Sequence, residues 1–160
     1  MSIKLPFDLS KTLAGEASID FDEPVEQVFK FVGEDFFENY PKWAVEVTEF
    51  EPLDGAKVFV GAKAKQSRND DGAEIVSVFQ ITDYEPVNKL IVQGVNAPYK
   101  QSYLLVAADS RQPTRLTFRF ELLELDVFMR PFEKLIRYAI EEGAENTVSN
   151  IKNLLCAECV

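Results

Sequence analysis

The sequence contains no histidine, only two cysteines, one tryptophan and two methionines, and no long run of apolar residues. Without imidazole there is no Ser-His-Asp triad, no histidine metal ligand and no histidine general base. Any chemistry falls to Asp, Glu, Tyr, Lys, Arg, Cys or bound water. The cysteines, Cys156 and Cys159, stand at the C-terminal end, too close together to staple a secreted fold. No window approaches the ~18 uninterrupted apolar residues of a membrane-spanning helix. Residues Met1 to Ala14 lack the apolar core of a signal peptide. A soluble, cytoplasmic protein is the expectation. Positive charge is also scarce: 17 Lys and Arg face 27 Asp and Glu, for a net charge of −10. Such a surface repels phosphate backbones and anionic lipids over most of its area, so nucleic acid is not an expected partner.

What is present is an aromatic load. Thirteen Phe and five Tyr fall within 160 residues, enough for one domain. A chain of this size buries roughly 70% of its unfolded surface and needs no disulfide or metal to fold. Residues 1–15 read as an N-terminal arm, with Pro6 and Gly15 as punctuation, and residues 16–156 as the domain. Leu5, Phe7, Leu9 and Leu13 of the arm are suited to covering the mouth of a cavity.

Ala17 to Asp22 alternates apolar and polar residues, the pattern of a half-buried strand. Pro24 then opens a helix with Val25, Val28, Phe29 and Val32 at helical spacing, which Gly33 interrupts. Phe36, Phe37 and Tyr40 predict a second short helix ending before Pro41. From Trp43 to Glu124 the pattern is strand and turn: Val45–Phe50, Val58–Gln66, Glu74–Asp83, Lys89–Val95, Tyr99–Ala108 and Arg115–Glu124. Asn69-Asp70-Asp71-Gly72 is a strong hairpin signal. Short turns between consecutive strands imply an antiparallel meander. From Phe128 onward, apolar residues recur every three or four positions, which predicts one long amphipathic helix. Asp126 is its expected cap and Pro131 a first-turn proline.

This order resembles the START/SRPBCC superfamily, the helix-grip fold of the birch-pollen allergen, polyketide cyclase/dehydrase and lipid-transfer domains. The stretches that carry the likeness are Ala17–Asp22 with Pro24–Phe29, Ile81–Leu90, Pro113–Phe118 and Ile151–Leu155. The resemblance implies an α+β fold: a curved seven-stranded antiparallel sheet gripping the C-terminal helix, with two short helices after the first strand. It further implies an elongated cavity for lipids, quinones, aromatics or polyketides, and no common catalytic motif.

Alternation places Leu116, Phe118, Phe120 and Leu122 on one strand face, expected to meet the helix. Val60, Ala62 and Ala64 would face inward and leave space that either holds a ligand or is filled by Phe128 and Phe132. Tyr103 is the first candidate for a polar handle inside an apolar cavity, with Tyr99, Ser77 and Gln93 behind it. Phe79, Phe118, Phe120, Phe132, Ile136 and Ile140 complete the candidate lining. Trp43 and the Phe36–Phe37–Tyr40 cluster are expected to pack the short helices near the mouth.

The acidic groups Asp20/Asp22, Glu34/Asp35/Glu38 and Glu141/Glu142/Glu145 read as solvated faces or helix starts. No catalytic residue, metal ligand or cofactor is assigned. Cys156-Ala157-Glu158-Cys159 trails a helix instead of opening one, at the negative end of the dipole, so it reads as incidental. Three functions follow: a carrier of a small hydrophobic ligand, a cyclase/dehydrase-type enzyme using tyrosine and carboxylates, or an interaction module with a filled cavity. The carrier is the favoured expectation.

Overall fold

A computed structural model describes residues 12–70, 72–107 and 113–158. Its core is a seven-stranded antiparallel sheet in the order β1-β7-β6-β5-β4-β3-β2. The strands are β1 (Leu13–Phe21), β2 (Val47–Pro52), β3 (Lys63–Asp70), β4 (Ala73–Glu85), β5 (Lys89–Gly94), β6 (Tyr99–Ala107) and β7 (Thr114–Leu122). Two short helices, α1 (Val25–Phe29) and α2 (Phe36–Trp43), follow β1, and the 26-residue α3 (Glu133–Glu158) closes the chain. This is the helix-grip fold. The sheet is a meander from β2 to β7, and β1 joins by pairing with β7, Leu13 opposite Leu122 through Phe21 opposite Thr114.

Alternation along the strands sorts the two faces. On β7, Leu116 and Phe118 are buried while Arg115 reaches outward to Asp20, 2.9 Å away. On β4, Ser77, Phe79 and Ile81 point inward. Several sequence expectations shift. The sheet begins at Leu13, which is fully buried, so residues 13–15 belong to β1; the rest of the expected arm, save Thr12, lies outside the described residues. The run from Val58 is not extended as far as Ala62. Gly61 has φ +98°, and the Ala62 N–H donates to the Phe59 carbonyl, so the chain turns there and β3 starts at Lys63. Val60 is accordingly exposed, whereas Ala62 and Ala64 are buried. A positive φ at the third turn position requires glycine, and alternation alone does not reveal it.

Pro41 does not end α2, which continues to Trp43. Phe36, Tyr40 and Trp43 lie on one helix face, and burying all three outweighs the hydrogen bond that proline removes. A π-type turn, Lys30–Glu34, joins α1 to α2, with Gly33 pressed against the Phe29 ring. The long C-terminal helix starts later than its pattern predicts. Val127–Phe132 form a 3-10 turn, capped by Asp126, whose carboxylate accepts from the Phe128 N–H at 3.0 Å. An α-helix starting at Val127 would need an N–H at position 131 to bond the Val127 carbonyl, and Pro131 has none. Phe128 and Phe132 are exposed, and neither fills the space inside the sheet.

Aromatic rings make the core. Phe36 is the hub, with centroids 5.0 Å from Tyr40, 5.6 Å from Tyr103, 5.9 Å from Trp43 and 6.0 Å from Phe79. Each such pair adds about 0.5–1.5 kcal/mol beyond the area it buries. The last turns of α3 bury Ala144, Val148, Ile151 and Leu155. Asn150 donates to the Trp43 carbonyl at 3.1 Å and Lys152 to the Asp20 carbonyl at 2.7 Å, tying α3 to α2 and β1.

The distance between α3 and β1 is set by Gly15. A Cβ there would stand 2.9 Å from Ile140 Cγ2 and 3.1 Å from the Glu141 backbone nitrogen. Gly15→Val should therefore destabilise the fold by about 1–3 kcal/mol, read as a lower urea midpoint. Gly143→Ala, where a Cβ meets nothing within 4 Å, should instead stabilise α3 by about 0.5–1 kcal/mol in the same assay.

Candidate functional site

Between α3 and the sheet lies a groove of about 320 Å³. Its sheet wall is Gln101 and Tyr103 of β6 with Phe118 and Phe120 of β7. Tyr40, Trp43 and Ala44 close one side, and Ile136, Ala139, Ile140, Gly143, Ala144 and Thr147 of α3 form the opposite wall. The space exists because α3 presents small side chains where it passes over β6 and β7. Glu46 and Arg68 stand on the lining too, paired at 3.5 Å and both part-exposed to water.

A hydrogen-bonded relay backs the apolar lining. The Trp43 indole N–H donates to the Tyr103 hydroxyl at 3.3 Å, and that hydroxyl donates to Gln101 Oε1 at 3.1 Å. The Gln101 side chain also reaches the Tyr40 hydroxyl. Tyr40 in turn donates to Gln66 Oε1 at 2.7 Å, and Gln66 Nε2 donates to the Tyr99 hydroxyl at 3.2 Å and to Ser77 at 3.4 Å. Gln66, Ser77 and Gln101 are all buried. Each would cost ~1–3 kcal/mol if left unsatisfied, so the relay holds its members in one arrangement.

The relay is neutral. Burial pushes the Tyr40 and Tyr103 hydroxyls well above the ordinary tyrosine range, because a phenolate would be stripped of water. Tyr99 moves the same way for the same reason, partly offset by its bonds from Ser77 and Gln66. The buried polar side chains of the described residues are amides and hydroxyls, with no carboxylate among them. Among the described residues, no three acids or thiols converge as they would around a metal ion. With the Trp43 N–H given to Tyr103, the Tyr103 O–H to Gln101 and the Tyr40 O–H to Gln66, the relay can offer a ligand a lone pair of Tyr103 and a remaining amide N–H of Gln101, and neutral tyrosines are poor proton acceptors.

Of the residues singled out from the sequence, Tyr103, Phe118, Phe120, Ile136 and Ile140 come together on this groove. Tyr99 and Ser77 sit behind it in the relay, with the Tyr99 ring stacked on Phe120 at 6.0 Å. Phe79 belongs to the ring cluster around Phe36. Gln93 borders a separate surface hollow with Asn96 and Leu123. Phe132 lies outside on the 3-10 turn. Among the acids, Asp20 pairs with Arg115 and Asp35 with Lys30 at the surface. Cys156 is exposed, while Cys159 lies outside the described residues. Sequence reasoning did not name Ala44, Glu46, Arg68, Ala139 or Thr147 as lining. Glu46 precedes β2 and Arg68 is on β3, far apart in sequence, and no local pattern joins them.

The fold and site together define a class: helix-grip proteins with a groove under the last helix. The chain belongs to the polyketide cyclase/dehydrase and lipid transport family, whose model matches residues 13–155. No curated protein matches it. Among solved structures, TTHA0849 from Thermus thermophilus is similar at TM-score 0.74 and 14% identity, over 92% of this chain and 99% of that one. Ara h 8.0201 is similar at TM-score 0.61 and 14% identity, again over 92% and 99%. StfQ, the di-domain ARO/CYC of the steffimycin pathway, gives TM-score 0.70 and 11% identity, over 92% of this chain and 52% of that one. At these identities the likeness is one of fold.

Because the three buried tyrosines keep their protons when the unfolded chain has lost them, stability should fall as pH rises past about 10. Tyrosinate absorbance should then rise in step with loss of the folded circular-dichroism signal. Full tyrosine ionisation in a still-folded protein would contradict the burial assigned to Tyr40 and Tyr103.

Proposed function

We propose that the protein binds a small hydrophobic molecule bearing a hydrogen-bonding oxygen, such as a quinone, an aromatic ketone or a phenol. The observation that carries this reading is the groove itself: aromatic and aliphatic walls converge on one fixed polar element, the Trp43–Tyr103–Gln101 relay. Sites for small apolar ligands have this make-up, a mostly apolar lining with a few placed polar groups that set orientation. The family description, which includes lipid transport, supports the same reading.

The second reading is an acid–base enzyme of the cyclase/dehydrase kind. It is favoured by the Glu46–Arg68 pair, which sets an ionisable carboxylate beside a guanidinium on the groove lining. StfQ and BexL, both named as di-domain ARO/CYC proteins, share the fold. The binding reading is preferred because the interior side chains of the groove are neutral and proton-retaining.

Trp43 is the chain's only tryptophan and stands on the lining, so its fluorescence reports occupancy directly. Dimethylnaphthoquinone, which has no free vinyl carbon for a thiol to attack, should quench it saturably at micromolar concentration. Gly143→Phe should abolish that quenching without lowering thermal stability, since its side chain extends into open space. Linear, non-saturating quenching, identical in both proteins, would sink the binding reading. Incubation with a linear β-diketone chain, followed by mass spectrometry, separates the two readings: loss of water that Glu46→Gln abolishes would establish the enzyme.

A further inference from the structure

We infer that Gln66, a buried side chain behind the groove wall, sets the direction of the whole hydrogen-bonded relay and so makes the groove selective for a ligand hydroxyl over a carbonyl or ether oxygen. The inference deepens the binding reading above and rests on it.

The direction follows from the partners around one amide. Gln66 has two oxygens on one side, the Tyr99 hydroxyl at 3.2 Å and Ser77 Oγ at 3.4 Å. On its other side it has one, the Tyr40 hydroxyl at 2.7 Å. An amide nitrogen carries two N–H groups and an amide oxygen none. With the nitrogen toward Tyr99 and Ser77, both N–H groups find acceptors and the oxygen receives from Tyr40. Turned over, the nitrogen would face Tyr40 alone, and a buried N–H would lose its partner. Burial makes that loss costly and selects the first orientation.

Each later step is then forced. Gln66 Oε1 cannot donate, so the Tyr40 proton goes to it. The Tyr40 oxygen is left to receive, so Gln101 turns an N–H toward it. Gln101 Oε1 therefore faces Tyr103, 3.1 Å away, and the Tyr103 proton is committed to it. The Trp43 indole, which can only donate, adds a second bond to the Tyr103 oxygen at 3.3 Å.

Tyr103 and Gln101 both line the groove. Their unused capacity is one lone pair on the Tyr103 oxygen, one on Gln101 Oε1 and one Gln101 N–H. A carbonyl or ether oxygen only accepts, so it can engage the N–H but sets its own lone pairs against that of Tyr103. A hydroxyl gives its proton to Tyr103 and accepts from Gln101, which matches both. Were the relay reversed, the Tyr103 proton would point into the groove and a carbonyl would fit as well. Gln66 is thus a positioning residue, acting through Tyr40 and Gln101 from outside the lining.

The test is calorimetric titration of the full chain at pH 7 with three probes built on one ring system: 2-naphthol, 2-methoxynaphthalene and 2-acetylnaphthalene. The wild type should bind 2-naphthol at least about tenfold more tightly than either of the others. Gln66→Met keeps the length of the side chain but removes the amide, which frees the Tyr40 proton and lets Gln101 turn over. The preference should then shrink to about twofold or less. A merely structural role would weaken all three probes alike and leave their ratio unmoved. Tyr40→Phe cuts the same relay one link nearer the groove and should give the same loss of preference, which covers the case that Gln66→Met fails to fold. The inference is overturned if the wild type binds 2-acetylnaphthalene as tightly as 2-naphthol, a result that leaves the binding reading standing. It is overturned as well if either variant, shown to be folded, keeps the tenfold preference. If none of the three probes binds, the binding reading falls with it.

Discussion

The close approach of α3 to β1 at Gly15 is the constraint from which the interior follows. A helix normally rests on a sheet at a height set by the side chains between them. Here one side of the contact has no side chain, and Ile140 and Glu141 settle directly on the β1 backbone. With α3 pinned low at the β1 edge, the turns on either side of that contact border the groove, where they present Ala139, Gly143, Ala144 and Thr147. Small residues facing Phe118 and Tyr103 across that gap leave a groove. Larger ones would have made an ordinary core.

The remainder of the concave face is too broad for one helix, and α1, the π-type turn and α2 fill it with rings. Phe36 meets Phe37, Tyr40, Trp43, Phe79 and Tyr103, so helix, strand and groove wall share one aromatic cluster. That cluster and the hydrogen-bonded relay use the same residues. Tyr40, Trp43 and Tyr103 each give a ring face to the core and a polar atom to the relay. Such double use ties the groove wall to the core. Turning any of these side chains toward a ligand would break a buried hydrogen bond and a ring contact together, so the polar groups of the groove are fixed in place before anything enters it.

Much of this was legible in the sequence, and the parts that were not share a physical origin. Element order came from local periodicity, which holds wherever one face is buried, as in β7 and the later turns of α3. It failed where a long-range contact overrode a local rule. Trp43 carried α2 past Pro41 because its indole is buried against Phe31, Phe36 and Tyr103. Gly61 bent an apolar run that alternation reads as extended. The site divides in the same way. Tyr103, Phe118 and Phe120 were accessible because strand alternation gives a face and tyrosine has a polar tip. Gln93 and Phe132 were misplaced for want of the third dimension: Gln93 sits at the end of β5 beside a loop, and Phe132 on a turn that swings away from the sheet.

The same helix therefore follows two different rules along its length. From Ala144 onward it obeys the amphipathic pattern, with one apolar stripe on the sheet and polar residues outward. Before that, apolar side chains stand on both the groove side and the water side, and a globular core accounts for only one of them. Helices apolar on two sides lie between two apolar neighbours, and the sheet is the only such neighbour that the described residues supply. Propensity does not explain the excess either, since alanine, glutamate or lysine would form the helix as well as Leu135 or Tyr138 at a lower solvation cost. The apolar residues on the outer side therefore serve neither the core nor the helix, while their sequence neighbours on the inner side line the groove.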